Sequence, residues 1–141
     1  VRSKISTDQE DFGASLAIDP SGRPGVTFDR AGTGVQFTRR KSTGWSALSQ
    51  VSSGGEASLA FGADGSPRVA YEKNGVWYAI KTGGTWTRTH LYTGPVDFLT
   101  YGGPRIAVNA ATSKARIIFA RSETDDTPSE DELGLYQLRE L

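Results

Sequence analysis

The sequence predicts an all-β fold made of repeated antiparallel sheets, and three observations indicate it. A stretch of 14 residues recurs at an offset of 43 residues, as SLAIDPSGRPGVTF at 15–28 and as SLAFGADGSPRVAY at 58–71. Apolar and polar residues alternate within each copy, which is the period of a half-buried strand. Glycine and proline interrupt the alternation at matching positions, where turns are expected.

Each copy is predicted to contain four strands. In the first copy the strands carry Leu16, then Val26, then the segment 34–37, and finally the pair Gly44-Trp45. A third copy starts 46 residues after the second, at Pro104. We expect the tryptophans that open the fourth strands to pack between neighbouring sheets, because large aromatic side chains bury much area.

The two ends of the chain complement each other. The third copy stops at residue 141, where its fourth strand should open, and residues 5–12 match residues 91–98 in spacing. The sequence therefore predicts one repeat segment that is permuted by one strand. Its parts are an orphan fourth strand plus linker at 1–12, units at 15–51 and 58–92, and a unit at 104–141 that lacks its fourth strand.

A period of about 40–50 residues built only from strands is typical of a β-propeller blade. The repeated pattern S-L-A-x-D-x-x-G-x-P-x-V-x-F/Y, followed by G-x-W, resembles the blades of bacterial β-propeller repeat proteins of the sialidase-like and lectin-like type. The resemblance covers nearly the whole chain and implies a fold rather than an activity. The sialidase Asp-box (S-x-D-x-G-x-x-W) lacks its tryptophan after residues 19–22, so no catalytic residue is carried over.

Three four-stranded blades cannot close a propeller ring, which typically holds four to eight. Two copies related by a two-fold axis would give about six blades, and each N-terminal strand would complete the other chain's third blade. Alternatively, a complementary propeller chain supplies the remaining blades, and the absence of methionine even at position 1 favours a fragment or processed chain. A non-propeller β fold is the third possibility.

Composition and charge exclude several function classes. The 16 basic and 16 acidic residues balance, which argues against nucleic acid as a partner. No apolar run is long enough to span a membrane, and cysteine is absent. Six acidic residues crowd into segment 123–132. That segment is interpreted as a solvated acidic loop, with a loop for calcium or a basic partner as the alternative.

No set of residues predicts catalysis, a metal site or a cofactor. His90 is the single histidine, no nucleophile motif surrounds any serine, and zinc would need more histidine or cysteine ligands. A glycosidase requires two carboxylates at a set separation. Asp11, Asp29, Glu72 and Asp97 are available, but the sequence selects no pair among them.

Ligand binding is easier to reconcile with the sequence, because propeller loops from several blades converge between blades or over the central channel. Aromatic faces beside charged groups would suit a glycan. The main hypothesis is therefore a non-enzymatic module for glycan or protein recognition, at the cell surface or outside the cell. The alternatives are an assembly or scaffold subunit and a fragment of a carbohydrate-active enzyme. The candidate ligand-binding residues are Trp77, Tyr136, Arg30, Lys73 and Arg105.

Overall fold

The computed structural model describes residues 4–7, 10–94, 102–122 and 133–139, and within these ranges the fold is all-β without any helix. The strands pair antiparallel into three sheets. Their bounds are β1 (Asp11–Ile18), β2 (Pro24–Arg30), β3 (Gly34–Lys41), β4 (Gly44–Trp45), β5 (Ser49–Ser52), β6 (Gly55–Phe61), β7 (Pro67–Glu72), β8 (Val76–Thr82), β9 (Thr85–Tyr92), β10 (Arg105–Val108), β11 (Ala115–Ser122) and β12 (Leu133–Arg139).

Each sheet is a meander of strands that follow one another in the chain. Sheet one has the order β1-β2-β3-β4, with β5 also paired to β3; sheet two is β6-β7-β8-β9; sheet three is β10-β11-β12. The all-β prediction with four-stranded antiparallel sheets is confirmed. The first strands of sheets one and two, β1 and β6, begin at Asp11 and Gly55, earlier than the predicted starts at 15 and 58.

The fourth strand of sheet one is divided into β4 and β5, whereas β9 is continuous. At the break, Ser46 contacts β3 through both its backbone and its side chain, and its backbone N–H donates to the Arg39 carbonyl at 2.9 Å. Its hydroxyl accepts a hydrogen bond from the Arg39 backbone N–H at 3.2 Å, and its carbonyl accepts one from the Thr38 hydroxyl at 2.8 Å.

The first turn of each sheet is held by a side-chain oxygen. Asp19 Oδ1 accepts hydrogen bonds from the backbone N–H groups of Ser21 and Arg23, both at 2.9 Å. Asp64 accepts from the Ser66 N–H at 3.0 Å, and Asn109 accepts from two N–H groups of its own turn. Asp and Asn favour such turns because their short side chains can replace a backbone acceptor.

The sheets pack face to face in chain order, so sheet two is covered on both sides. Phe37 and Val51 of sheet one contact the face of sheet two that carries Leu59, Tyr71 and Trp86. The other face of sheet two packs against the third sheet in a second apolar cluster. Trp86 is buried between two sheets, as the sequence predicts, while Trp45 is half-buried. The second cluster consists of Ala70, Val76, Tyr78, Ala115, Ile117 and Phe119.

One hydrogen bond between neighbouring sheets is repeated. Ser15 Oγ in β1 accepts from the Leu59 N–H in β6 at 3.1 Å. Ser58 Oγ in β6 accepts from the Ile106 N–H in β10 at 3.2 Å. Ser15 and Ser58 occupy the same repeat position, so the same contact aligns β1 with β6 and β6 with β10.

The predicted orphan strand at 2–7 lies partly outside the described residues. Residues 4–7 are not in a strand of this chain. Within this segment, Ser6 Oγ accepts a hydrogen bond from Arg30 Nη2 at 2.8 Å, which holds the segment against sheet one. The predicted pairing of this strand with a second chain stays a prediction, because the structure contains one chain.

We expect Phe37→Ala to lower the free energy of unfolding by about 3–5 kcal/mol. Phe37 meets the rings of Phe61 and Trp86 edge-on, with centroids 6.4 and 5.5 Å away, so truncation leaves a cavity between the two sheets. Urea unfolding followed by circular dichroism measures the loss. Phe37→Leu keeps most of the volume and should cost less than half as much; equal losses would contradict this packing.

Candidate functional site

Trp77 is not an open platform for a sugar ring. Tyr71, Trp77 and His90 form a cross-strand row on β7, β8 and β9. The indole is parallel to His90 at 4.2 Å between centroids and to Tyr71 at 6.3 Å. Because β7 and β9 flank β8 on opposite sides, these rings lie on opposite sides of the indole. The indole N–H donates to the Lys73 carbonyl at 2.9 Å.

Arg30 fastens the start of the chain to sheet one. Its Nε and Nη2 bind the two carboxylate oxygens of Asp11 at 2.9 and 3.2 Å, and its guanidinium lies 5.7 Å from the centre of the Phe28 ring. The Arg30 guanidinium holds the pKa of Asp11 below its usual value. These contacts give Arg30 a structural role, although it also lines a cavity described below.

The five predicted ligand-binding residues are spread over three sheets. Lys73 is exposed in the turn before β8, beside Trp77, while Arg105 is exposed at the start of β10 in sheet three. Tyr136 lies in β12 opposite Phe119, at the repeat position of Trp77, and its side chain lies outside the described residues. The sequence places Trp77 and Tyr136 at equivalent repeat positions, but it does not reveal that the rings of Tyr71 and His90 lie parallel to the Trp77 indole.

A surface that the sequence did not single out is the outer face of sheet one. Leu16 is 65% exposed and Ile18 is 56% exposed, whereas their repeat equivalents in sheet two, Leu59 and Phe61, are 5% and 9% exposed. Phe12 adds a third exposed apolar side chain, at 58%. We call Phe12, Leu16 and Ile18, with the neighbouring Val26 and Phe28, the open face.

The open face continues into a small apolar cavity. The cavity has a volume of about 250 Å³ and is lined by Ile5, Phe12 and Ala14 together with Val26 and Phe28. Val26 and Phe28 are themselves buried. The open face is therefore partly covered toward the start of the chain and uncovered at Leu16 and Ile18.

A second cavity lies beside the turn between β2 and β3. It has a volume of about 420 Å³, and its lining includes Arg30, Asp29, Glu56 and Glu72. We call it the Asp29 cavity. Of the other carboxylates that the sequence offered, Asp11 pairs with Arg30 and Asp97 lies outside the described residues. Three acidic residues therefore line the cavity, and the sequence had named two of them, Asp29 and Glu72.

Asp29 is the most perturbed group of this cavity. It is 3% exposed; Oδ2 accepts the Glu56 N–H at 2.8 Å, and Oδ1 is buried without a hydrogen-bond partner among the described residues. Burial, with a smaller contribution from the charge of Glu56, raises the pKa of Asp29 to about 6. A carboxyl group in this range can hold or release a proton near neutral pH.

Glu56 has an uncommon backbone conformation. It sits in the bulge of β6 with φ of 50°, and the equivalent bulge of β1 places Gly13 at φ of 60°. A side chain in this left-handed region costs free energy that glycine avoids. The Asp29 hydrogen bond to the Glu56 N–H stabilises this bulge, so the pair ties sheet one to sheet two.

No protein-family model and no curated protein matches the sequence. Among the described residues, no helix is long and apolar enough to cross a membrane. Across the same ranges, no three His, Cys, Asp or Glu side chains are grouped so that they could hold a metal ion.

We expect Asp29→Asn to stabilise the protein at pH 7. The raised pKa means that the folded state binds more protons than the unfolded state between about pH 4 and 6. Wild-type stability should therefore fall as pH rises through this window, by at most about 3 kcal/mol at 1.4 kcal/mol per pH unit. The variant should lose this pH dependence, as urea unfolding at pH 4 and pH 7 would show.

Asp11→Asn serves as a control of opposite sign. The pKa of Asp11 is lowered, so its ionised form stabilises the fold above pH 4 and this variant should be less stable at pH 7. An Asp29→Asn protein that is less stable than wild type at pH 7, or that keeps the wild-type pH dependence, would contradict the assignment for Asp29.

Proposed function

We propose that the chain is a non-enzymatic β-propeller segment whose function is binding and assembly. In this proposal the three sheets are consecutive blades, and a second copy or a complementary propeller chain supplies the rest of a ring of about six blades. The order of the sheets, their face-to-face packing and the repeated serine contact support it. An extracellular or cell-surface location is part of the same proposal.

The open face is the observation that carries the proposal. Four of its residues, Leu16, Ile18, Val26 and Phe28, occupy the repeat positions of Leu59, Phe61, Val69 and Tyr71, through which sheet two packs against sheet one. Burying an exposed leucine or isoleucine stabilises by about 1.5–3 kcal/mol. Contiguous exposed apolar side chains of this kind mark interaction surfaces. A further blade is the proposed occupant, because sheets one and two already pack against each other through the equivalent residues.

The outer face of sheet three is the expected counterpart within a second copy. Ile118 on that face is 40% exposed and lies at the repeat position of Ala70, which is buried against sheet three. Arg105 lies at the repeat position of Ser15 and Ser58. A guanidinium has no acceptor atom, so it cannot repeat the serine contact to the first strand of the next sheet. A second copy would therefore pack with one hydrogen bond fewer than the sheets within the chain.

We expect Leu16→Asp to abolish association through the open face while the chain stays folded. Leu16 is mostly exposed in the single chain, so the charge costs little until a second blade covers it. Analytical ultracentrifugation should show wild type as two chains or a larger assembly and the variant as one chain, both with the same circular dichroism spectrum.

Thr87→Asp is the matched control, because Thr87 is exposed on the outer strand β9, away from the open face. It should associate as wild type does. A wild-type chain that is monomeric at all concentrations up to about 100 μM would contradict the proposal, since a contiguous apolar face of this size promotes association.

Arg105→Ser tests whether the occupant is the third sheet of a second copy. The variant restores the acceptor found at the two other repeat positions, and one hydrogen bond contributes a net 0.5–1.5 kcal/mol, or roughly 2- to 12-fold in the association constant. Tighter self-association in sedimentation equilibrium supports a two-copy ring. Unchanged or weaker self-association would rule out that contact and favour a complementary chain.

Recognition of a glycan or protein by the loops is the second candidate function, and the Asp29 cavity favours it. Arg30 and the carboxyl groups of Asp29, Glu56 and Glu72 offer the donors and acceptors that hydroxyl-rich ligands require. A glycan array should yield binding that Glu72→Gln weakens. Absence of any binding by the assembled protein would contradict this candidate and leave the assembly role.

A further inference from the structure

A cleft between sheets one and two opens at the ends of the strands opposite the Asp29 cavity. It has a volume of about 560 Å³. β3 starts beside the Asp29 cavity and runs away from it, and its last residues meet the end of β8 across the cleft. Three cationic side chains line the cleft: Arg39 and Lys41 come from β3, and Lys81 comes from β8. We call it the cationic cleft.

Lys81 is held in place without a carboxylate. Its Nζ donates to the Ser49 hydroxyl at 2.8 Å, and the Trp86 indole N–H donates to the same hydroxyl at 2.9 Å. The ammonium group lies 5.7 Å from the centre of the Phe37 ring and 5.4 Å from that of Trp86. Aromatic faces attract a cation but do not neutralise it. The described contacts therefore fix the position of the ammonium group, and no carboxylate is among them.

Among the described residues, three cations and one carboxylate line the cationic cleft. The carboxylate is that of Asp64, whose Oδ1 accepts hydrogen bonds from the N–H and hydroxyl groups of Ser66 at 3.0 and 2.6 Å and whose charge interacts with Arg68, so the cations of the cleft remain in excess. Within the described ranges, neither Lys41 nor Lys81 forms an ion pair.

Arg39 is anchored at one side of its guanidinium. Its Nη1 donates to the Gly65 carbonyl at 3.0 Å and lies 3.5 Å from Asp19 Oδ2. Asp19 also accepts three hydrogen bonds within its own turn and pairs with Arg23, so its charge is shared. The guanidinium lies 5.8 Å from the centre of the Phe61 ring. This geometry fixes the group at the wall of the cleft.

The cations of the cleft repel one another. Burial and, second, the positive charge of Arg39 lower the pKa of Lys81. Like charges on two facing sheets oppose the packing of those sheets, unless a negative charge lies between them. An oxyanion accepts charge-assisted hydrogen bonds from guanidinium and ammonium groups and would offset the repulsion.

We propose that the cationic cleft binds an oxyanion, namely the sulfate, phosphate or carboxylate group of an anionic ligand. Arg39 and Lys81 hold the oxyanion from the two facing sheets, and Lys41 adds a third charge at the exposed rim. The site lies within one chain, between its first two sheets. It does not depend on assembly through the open face, so the two proposals can fail separately.

Inorganic sulfate is the first probe. Titration into ¹⁵N-labelled protein, with sodium chloride adjusted to keep the ionic strength constant, should give saturable amide shifts centred on residues 39–41 and 81–84. Constant ionic strength is required because general screening also moves surface resonances. Shifts that do not saturate, or that centre elsewhere, would overturn the proposal.

Two variants separate binding from folding. Lys81→Met keeps an unbranched chain over the two rings but removes the charge, and Lys41→Gln changes an exposed residue that the fold does not need. Each should weaken sulfate binding about fivefold to tenfold, the value of one charge-assisted contact. Lys73→Gln removes an exposed charge at the other end of the same sheets and should bind as wild type does. Unchanged binding by Lys41→Gln and by any folded Lys81→Met protein would overturn the proposal.

A sulfated hexasaccharide distinguishes the two sources of the oxyanion. An affinity more than about tenfold above that of inorganic sulfate, lost in Lys41→Gln, assigns the site to a sulfate borne by a larger anionic ligand. An affinity equal to that of sulfate assigns it to a free anion. Both results support an oxyanion site, and hexasaccharide binding that is the same in wild type and Lys41→Gln would overturn it.

Discussion

The structure depends on covering the apolar faces of neighbouring sheets. Sheet two meets this requirement on both sides, through the contact of Leu59 and Tyr71 with sheet one and through the contact of Tyr78 with sheet three. The repeated serine hydrogen bond aligns β1, β6 and β10, the first strands of the three sheets. This alignment and the burial of the apolar faces between the sheets support each other. Sheet one has the same pattern of residues but packs against one other sheet among those that the structure describes, and its other face exposes Leu16 and Ile18 to solvent.

The same packing separates two environments at opposite ends of the strands. At one end the bulge at Glu56 and the buried carboxyl of Asp29 place negative groups around a cavity. At the other end Arg39 and Lys81 face each other across a cleft. The apolar cluster between sheets one and two lies between these ends. The framework is therefore built from residues that repeat. At the charged ends the charge of Asp29 repeats as Glu72, whereas Glu56 takes the place of Gly13.

The repeat made the framework predictable and left the charged ends unpredictable. Aligning residues 15–28 with residues 58–71 was enough to predict the first two strands of sheets one and two and the turn between them, and the Gly-x-Trp opening of the fourth strand predicted the burial of Trp86. The division of the fourth strand between β4 and β5 is marked by no pattern in the sequence. The sequence could not select Asp29 from the other carboxylates, because its burial depends on how closely β6 approaches β2. The stack of Trp77 on His90 follows from cross-strand register, which the alternation alone does not determine.

Exchange of single backbone amides would test most directly whether the open face is an assembly surface. The Leu59 and Ile106 N–H groups each donate to a serine of the preceding sheet, and Leu16 is their repeat equivalent in β1. Hydrogen exchange followed by NMR should show Leu59 and Ile106 protected at every protein concentration. We expect the Leu16 amide to exchange quickly in dilute protein and to become protected as the assembly forms. A Leu16 amide that still exchanges quickly in the assembled protein would contradict the account.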